Sequence, residues 1–219
     1  MATRDAFDPN AFLSRLGEAT THLLLQRANN CDLSRGEFLM RQGQPSAHAF
    51  IVESGGLLLL RADPDGAEVA LDLLGPGGLC GIEDVLCDRA YALSARATTR
   101  TICHSIPSNV IRGIMSSDAP AATAIANYVA VRLRLAETHM EILTLESTVD
   151  RIARVLRRLA RRYESHSGSD LRLPLTQSDL ASLVGISRQS VNRNLKNLRL
   201  RGIVTCHPRH IAVSETLLS

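Results

Sequence analysis

Polar side chains between positions 188 and 196 have types and a spacing that suit contact with nucleic-acid bases. If this segment is a helix, Val191, Leu195 and Leu198 lie on one side of it and the polar residues lie on the other. The polar residues are Arg188, Gln189, Asn192, Arg193 and Lys196. Arginine can form two hydrogen bonds to guanine, and glutamine or asparagine can do the same with adenine. The pattern therefore predicts a helix whose outer side enters the major groove of DNA.

The residues ahead of this helix predict the element that positions it. Thr176 followed by Asp179 approximates a capping box, so a first helix is expected to begin there. Gly185 stands where a left-handed residue would end that helix, and the Ser187 hydroxyl can cap the second. Ala181 is small where two helices must cross closely. Together these signals favour a helix-turn-helix over a structural helix pair with a solvated polar side.

A β-hairpin is expected after the second helix. Residues 201–204 and 210–213 have the pattern of two short strands, joined across His207, Pro208 and Arg209. A hairpin in this position is the wing of a winged helix-turn-helix.

The distribution of charge agrees with a polyanionic partner for the C-terminal part. From residue 150 onward there are 13 basic and five acidic residues, a net charge of +8, whereas the preceding residues carry a net charge of −5. A basic segment of this kind is the electrostatic pattern expected of a nucleic-acid-binding domain. A solvated basic surface without a partner is the alternative.

The N-terminal part has the pattern of a β domain. Between Cys31 and Pro107, short apolar runs are separated by glycine- and proline-rich turns about every ten residues, which predicts a sandwich or barrel. Asp65-Gly66 between two such runs predicts a tight hairpin. A helix is expected ahead of this region, over residues 9–27.

A long helix with one apolar stripe is predicted over residues 120–145. The stripe consists of residues spaced three or four apart: Ile125, Val129, Leu133, Ala136, Met140 and Leu143. Such a stripe is what two parallel helices bury against each other, so we expect a homodimer interface. Packing of the stripe onto the chain's own sheet is the alternative. A second, basic helix is expected over 149–163, followed by a loop over 164–170.

Other compositional features place limits on the class of protein. The longest apolar runs are four to six residues, too short to span a bilayer, and the N-terminus does not have the pattern of a secretory signal. Five cysteines without regular spacing do not predict a disulfide framework. We expect a cytoplasmic protein without a membrane partner.

The sequence resembles the family of the cAMP receptor protein and the fumarate–nitrate regulator, the CRP/FNR regulators, over nearly its whole length. The segments that carry the resemblance are 36–44, 51–56, the hairpin at Gly66, 77–81 and 185–193. The resemblance implies an α+β protein with a jelly-roll sensor domain over 1–118, a dimerisation helix over 119–146 and a DNA-binding winged helix-turn-helix over 147–219. It also implies a bacterial transcription regulator and, as partners, double-stranded DNA with an inverted-repeat site and RNA polymerase.

The family pattern assigns roles to residues of the helix-turn-helix. By the match of motifs, Arg188, Gln189 and Arg193 would be the principal base contacts. The predicted DNA-binding residues also include Ser187 and Asn192. We further expect Thr176, Gln177 and Lys196 to bind phosphates, Lys196 because it lies two turns further along the helix.

The effector region departs from the pattern of the cAMP-binding members. In those members a glutamate directly follows the glycine that matches Gly81, and an Arg-Ser or Arg-Thr pair binds the phosphate. In this sequence Ile82 follows Gly81, and no such pair occurs near Ser94. A cyclic phosphate without an arginine lacks its bidentate charge-assisted contact. We therefore expect a signal other than cAMP, and the candidate effector pocket is Cys80, Gly81, Glu83, Arg89 and Ser94.

Several other signals are open. Cys31 is the only cysteine before Cys80, which disfavours an iron–sulfur cluster. Another nucleotide, with Arg89 as a displaced phosphate anchor, and haem both remain alternatives. The candidate haem ligands are His22, His48, His104, His139 and Met140. Cys80 and Cys87 would report on redox state if Arg89 lowered the pKa of their thiols.

Two other functional classes compete with this interpretation. A metal-dependent enzyme on a jelly roll needs convergent histidine and carboxylate ligands, and the β region offers only His48 and His104. We therefore expect no enzyme and no metal site. The second class is a nucleotide- or redox-responsive adaptor without DNA binding, and the polar outer side of the 188–196 segment argues against it.

Overall fold

A computed structural model describes residues 12–145, 147–163, 171–214 and Leu217. Eight helices and eleven strands lie in these ranges. The expected loop over 164–170 lies outside the described residues, as do residues 1–11.

The N-terminal part is a two-sheet β structure, as the turn spacing predicted. Its strands are β1 (Asn29–Leu33), β2 (Phe38–Met40), β3 (His48–Ser54), β4 (Leu57–Ala62), β5 (Glu68–Leu74), β6 (Leu79–Cys80), β7 (Ser94–Ala97) and β8 (Thr101–Pro107). One sheet has the order β1-β8-β3-β6 and the other β2-β7-β4-β5. The inner sides of both sheets pack together in one apolar cluster that includes Phe50, Leu57 and Leu59. Gly66, at φ +83°, forms the predicted turn between β4 and β5.

Four short helices surround this sandwich. The prediction of a single helix over residues 9–27 is wrong. Two helices, α1 (Phe12–Arg15) and α2 (Glu18–Arg27), are separated at Gly17, which has φ +80°. A helix that the sequence analysis did not predict, α3 (Ile82–Cys87), follows Gly81. The fourth helix, α4 (Ser108–Ser117), leads from β8 to the long helix.

The long helix α5 (Ala119–Leu145) confirms the prediction from the apolar stripe. Its first turns pack on the sandwich, where Ala121, Ile125 and Tyr128 belong to a buried cluster with the N-terminal helices. The Tyr128 hydroxyl lies 3.1 Å from the backbone nitrogen of Leu79, which donates to it. In the described residues no helix is both long and apolar enough to cross a membrane.

The C-terminal part contains the predicted helix-turn-helix and wing. Its elements are α6 (Thr148–Tyr163), β9 (Leu171–Leu173), α7 (Gln177–Val184), α8 (Arg188–Leu200), β10 (Val204–Cys206) and β11 (Ile211–Val213). The three strands form one antiparallel sheet in the order β10-β11-β9. A buried cluster joins α6, α7 and α8 to this sheet and also includes Leu58 and Leu73 of the sandwich. The C-terminal part is therefore packed directly on the β4–β5 hairpin.

Candidate nucleic-acid interface

Helix α7 begins and ends at the predicted residues. The Thr176 hydroxyl accepts a hydrogen bond from the backbone nitrogen of Asp179 at 3.1 Å, and the Asp179 carboxylate accepts one from the backbone nitrogen of Thr176 at 2.9 Å. Both halves of the capping box are present, although aspartate replaces the usual glutamate or glutamine. Gly185, at φ +70°, ends the helix in the left-handed conformation. Local hydrogen bonding thus fixes the angle at which the chain turns toward α8.

Helix α8 presents the predicted polar surface to solvent. Ser187 caps it by accepting a hydrogen bond from the backbone nitrogen of Ser190 at 3.2 Å. Val191, Leu195 and Leu198 are buried against α6 and α7. The five polar residues predicted to face outward are all exposed: Arg188, Gln189, Asn192, Arg193 and Lys196. We call these five residues the recognition surface.

The start of α7 has a different environment from the recognition surface. Thr176 and Gln177, the predicted phosphate contacts, are half-buried. Thr176 lines a cavity of about 260 Å³, together with residues of the β domain that include Arg35, Glu68 and Arg96. In this arrangement the Thr176 side of α7 is turned toward the sandwich.

Direct polar contacts hold α7 against the sandwich. An Arg96 nitrogen on β7 lies 3.1 Å from an Asp179 carboxylate oxygen. The Ser182 hydroxyl accepts a hydrogen bond of 2.7 Å from the backbone nitrogen of Ala70 on β5. The sequence analysis did not predict this interface, because its partners lie 83 and 112 positions apart.

A buried charge cluster lies where β5 meets α5 and α6. One Arg162 nitrogen donates to both carboxylate oxygens of Asp72, at 2.7 and 2.9 Å, and Arg158 lies 3.7 Å from the same carboxylate. Burial alone would raise the pKa of Asp72, but Arg162, Arg158 and Arg132 outweigh it and lower the pKa to about 2. Asp72 is therefore ionised near neutral pH and joins the sandwich to α6. The only sequence signal for this charge cluster was the presence of a charged residue, Asp72, inside the apolar run of β5.

His139 on α5 borders this cluster. Burial, followed by the charge of Arg158, lowers the pKa of His139 to about 4. His139 is buried, so its imidazole is neutral near pH 7 and is packed between α5 and its neighbours, which disfavours it as a haem ligand.

The other candidate haem ligands are dispersed. His104 lies 2.9 Å from the Asn30 amide oxygen and 3.3 Å from Glu53. His22 lies on α2 beside Gln26, and His48 begins β3. Among the described residues, no group of three histidine, cysteine or acidic side chains is arranged to hold a metal ion.

The predicted effector residues have different local environments. Gly81 has φ +76° and begins α3, and Glu83 faces Arg132 at 3.7 Å between carboxylate and guanidinium. Ser94 accepts a hydrogen bond of 3.0 Å from the backbone nitrogen of Gln42, whereas Arg89 is exposed. None of these residues lines the interdomain cavity.

The hypothesis that Arg89 lowers the pKa of the Cys80 thiol is wrong. Cys80 is buried, and burial raises the pKa of its thiol far above the ordinary value. Cys103, in the same apolar cluster, has a thiol pKa raised by burial to about 12. Both behave as apolar core side chains, whereas Cys87 is exposed at the end of α3.

The apolar stripe of α5 divides into a buried and an exposed part. Ile125 is only 3% exposed, because it packs in its own chain's core, and it therefore cannot be buried by a partner. Leu133 and Met140 are 61% and 59% exposed, with Ala136 exposed between them. Val129 and Leu143 are half-buried.

Two models of known domain families match the chain. The cyclic nucleotide-binding domain matches residues 31–118, and the Crp-like helix-turn-helix domain matches residues 150–216.

Similar proteins of known name cover most of the chain. A CRP-like cAMP-activated global transcriptional regulator from Mycobacterium tuberculosis is 27% identical over 195 residues, which cover 88% of this chain and 87% of that protein. The cyclic AMP receptor protein of Thermus thermophilus is 29% identical, covering 84% of this chain and 83% of its own. FixK2 from Bradyrhizobium japonicum has the same fold, with a TM-score of 0.78 and 22% identity over 87% of this chain and 95% of its own.

Proposed function

Because the chain belongs to the CRP/FNR family of transcription regulators, we propose that it binds a specific inverted-repeat DNA site as a homodimer under the control of a signal in its β domain. The observation that carries this proposal is the recognition surface. It consists of five exposed hydrogen-bonding side chains on a helix that is capped at Ser187 and anchored by three buried apolar residues. A rigid helix of this kind can enter the major groove without reorganising. The proposal includes no catalytic activity.

The residues of the recognition surface take different roles in this proposal. The first turns of a recognition helix contact base edges, so Arg188, Gln189 and Arg193 would contact bases, assisted by Ser187 and Asn192. Lys196, about two turns along α8, would bind the backbone, and so would Thr176 and Gln177 at the start of α7.

The homodimer would be formed through α5. Leu133 and Met140 lie seven positions apart and both are more than half exposed, so they lie on one side of the helix. Exposed apolar side chains along a long helix are what a second copy of that helix would bury. We propose the domain division 1–118, 119–146 and 147–219, in which the middle segment provides this contact.

The packing of α7 on the sandwich would couple signal to DNA binding. The ion pair of Arg96 with Asp179, the hydrogen bond of Ser182 with β5 and the pairing of Arg162 with Asp72 all cross from the β domain to the C-terminal part. A change in β5 or β7 on ligand binding would therefore act on the helix-turn-helix directly. Thr176 lines the cavity between the two parts, so we propose that DNA binding requires release of this packing.

The signal is proposed to be a molecule other than cAMP. Ile82, which follows Gly81, is buried in the core, and Glu83 is next to Arg132. The arginine nearest this loop in sequence, Arg89, is exposed. No described arginine of this loop is therefore buried in a position to bind a cyclic phosphate. RNA polymerase is proposed as the protein partner at the promoter.

Selection of DNA from a random-sequence library by the full-length protein tests the proposed function. The expected product is an inverted repeat whose half-sites lie about one helical turn apart. The variant Arg188→Ala should lose sequence selection, whereas Arg61→Ala, an exposed arginine on β4, should keep it. Failure of the wild type to enrich any sequence, with its fold intact, would contradict the proposal.

A further inference from the structure

Two cysteines lie directly opposite each other on neighbouring strands of the sandwich. Cys31 on β1 is paired with Cys103 on β8 in an antiparallel ladder. Directly opposite residues of such a ladder have Cα atoms about 4.5 or 5.5 Å apart. A disulfide joins Cα atoms that are about 4.4 to 6.8 Å apart. The backbone therefore already holds the two residues at a separation that a disulfide bond can span.

The two side chains lie on the same side of the sheet. Cys103 is buried in the apolar cluster between the two sheets, and Cys31 is half-buried and packs against the same cluster. Asp32, the next residue of β1, is exposed on the opposite side. Both thiols therefore belong to the inner side of the sandwich.

Polar contacts on the outer side of the sheet fix this register. His104 Nδ1 lies 2.9 Å from Asn30 Oδ1. Toward the other end of β1, Arg100 donates hydrogen bonds to both carboxylate oxygens of Asp32, at 3.1 and 2.7 Å. A shift of one residue would turn Cys31 to the outer side of the sheet. These contacts oppose such a shift and keep the two thiols facing each other.

Cys80 is the other buried thiol of this cluster, but the sheet order places it too far away to form a bridge. It lies on β6, and β3 separates β6 from β8. Neighbouring strands are about 4.8 Å apart, so Cys80 is about 10 Å from Cys103 across the sheet. A disulfide cannot join Cα atoms more than about 7 Å apart without movement of the backbone. The geometry thus selects Cys31 as the partner of Cys103.

The two thiols differ in their access to solvent. β1 is an edge strand of its sheet, and Cys31 on it is only half-buried. Cys103, on the next strand, is 0% exposed. A reagent from solvent therefore meets Cys31 first, and Cys103 is placed to react with the product from inside.

We propose that Cys31 and Cys103 are a redox-active pair that forms a reversible disulfide by exchange with a small-molecule disulfide. The Cys31 thiolate attacks one sulfur of the reagent, which forms a mixed disulfide and releases a first small thiolate. The Cys103 thiolate then attacks the Cys31 sulfur, which forms the protein disulfide and releases the second small thiolate. The protein loses two electrons and two protons, and the reagent takes up both as two small thiols. The pair lies outside the DNA-binding part, so this inference goes beyond the proposed function.

Burial controls the rate of both steps. It raises the pKa of the Cys31 thiol, and burial followed by the charge of Cys31 raises the pKa of the Cys103 thiol to about 12. A Cys31 sulfur in a mixed disulfide carries no charge, so it no longer opposes ionisation of Cys103. The second step is also intramolecular, which favours it over attack by another thiol from solvent. Oxidation should therefore be slow at pH 7 and faster at higher pH, where more Cys31 is ionised.

Oxidation of the full-length protein with excess oxidised glutathione, followed by digestion without reductant and mass spectrometry, tests the proposal. One pair of linked peptides is expected, containing Cys31 and Cys103, and dithiothreitol should separate it. Its rate of formation should increase roughly tenfold per pH unit between pH 7 and pH 8.5. Oxidation after unfolding in urea should instead spread the links over all five cysteines, because the register no longer selects the partner.

Variants distinguish the pair from the remaining thiols. Cys31→Ala, on the edge strand, should leave Cys103 reduced, because Cys103 is buried and has lost its partner. The matched control is Cys87→Ala, which removes the exposed thiol at the end of α3 and should form the same linked peptides as the wild type.

Thermal unfolding provides a second measurement. The disulfide would close a loop of about 70 residues and so restrict the unfolded chain, and the oxidised wild type should melt about 5 to 10 °C above the reduced protein. The shift should be absent from Cys31→Ala and present in Cys87→Ala.

Two results would overturn the proposal. One is a folded wild type in which Cys103 stays reduced at pH 8.5, and the other is a link from Cys103 to a cysteine other than Cys31. Both leave the proposed function intact, because DNA selection by the reduced protein is measured separately.

Discussion

Arg96 on β7 and Asp179 on α7 form a hydrogen-bonded ion pair of 3.1 Å, although one belongs to the β sandwich and the other to the helix-turn-helix. Asp179 also completes the capping box of α7 through Thr176. The same carboxylate thus stabilises the start of a DNA-binding helix and attaches that helix to the sandwich. Any event that moves β7 would be transmitted to α7 through this pair.

We expect Arg96→Gln to increase DNA affinity in the absence of signal. The substitution removes the interdomain pair but leaves the capping box intact, so the released state becomes more populated. Because the Arg96 side chain is about one-third exposed, the pair is worth at most about 1 kcal/mol, or roughly a fivefold change in affinity. Anisotropy titrations of the two proteins measure the difference.

The control for this substitution is Arg100→Gln. Arg100 pairs with Asp32 at 2.7 Å on the surface of the sandwich, away from α7, and its loss should leave DNA affinity unchanged. Weaker DNA binding by Arg96→Gln would show that the packed arrangement supports DNA binding instead of opposing it.

Asp72→Asn is expected to destabilise the fold. The substitution leaves the buried guanidiniums of Arg162 and Arg158 without their carboxylate, which costs about 3 to 5 kcal/mol at neutral pH. Urea unfolding should show the loss directly, whereas Asp32→Asn, in an exposed pair, should have little effect.

The pH dependence isolates the charge of Asp72. Its pKa in the folded protein, about 2, is below the unfolded value, so its stabilisation is present above about pH 4 and is lost as the pH falls toward 2. The ionised carboxylate contributes roughly 2 kcal/mol to the free energy of unfolding. The difference in that free energy between wild type and Asp72→Asn should therefore shrink as the pH falls through this interval. A constant difference would contradict the assignment.

The features that could be predicted from the sequence are those with local causes. The capping box at Thr176, the left-handed Gly185 and the cap at Ser187 each depend on residues within a few positions, and all three are confirmed. The long helix α5 was predictable for the same reason, since its apolar spacing runs from Ile125 to Leu143 and neither glycine nor proline occurs after its first turn.

The features that were missed depend on tertiary contacts. The pairing of Asp72 with Arg162 joins residues 90 positions apart, and no periodicity of either segment indicates it. Ile125 has the same spacing as Leu133, yet only the fold shows that α1 and the sandwich already cover it. The break at Gly17 was missed because the apolar pattern continues across it, although the glycine was visible.

Leu133→Arg is expected to prevent dimer formation while the monomer stays folded. Leu133 is 61% exposed in the single chain, so an arginine there is solvated in the monomer, but a dimer would bring two like charges into a buried interface at a cost of several kcal/mol. Sedimentation velocity at micromolar concentration measures the change. Leu23→Arg, on the exposed side of α2, is the matched control and should not change the association state. A wild type that is monomeric and still binds DNA would contradict the dimer proposal.

Cyclic AMP is expected neither to bind tightly nor to alter DNA affinity. The loop after Gly81 places Ile82 in the core, and the exposed Arg89 would have to move to reach a phosphate there. Isothermal titration calorimetry with cAMP at about millimolar concentration should therefore detect little or no binding heat. The DNA affinity measured by gel shift should be the same with and without cAMP. A micromolar dissociation constant would show that the pocket binds the cyclic phosphate by groups other than a matching arginine.

Arg188→Ala and Lys196→Ala are expected to weaken DNA binding in different ways. Arg188 is the first residue of α8 and is exposed, so it can reach base edges. A bidentate contact to guanine discriminates by about 1 to 3 kcal/mol. Its loss should reduce affinity for the selected site about 5- to 150-fold and leave non-specific binding almost unchanged. Lys196 lies eight residues further along the helix, where we expect α8 to leave the bases for the backbone. Its loss should weaken all sequences alike and reduce the salt slope by about one unit per site contact.

Competition titrations at several salt concentrations separate these two effects. Each variant is measured on the selected inverted repeat and on a scrambled duplex of equal length, so that the ratio of affinities reports base contacts and the salt slope reports phosphate contacts. Asn197→Ala, an exposed neighbour of Lys196 on α8, controls for changes in helix stability. If Arg188→Ala keeps the wild-type ratio of affinities, base recognition lies elsewhere on the recognition surface. If Lys196→Ala changes that ratio without changing the salt slope, Lys196 contacts a base. Base contacts along α8 would then extend beyond its first two turns.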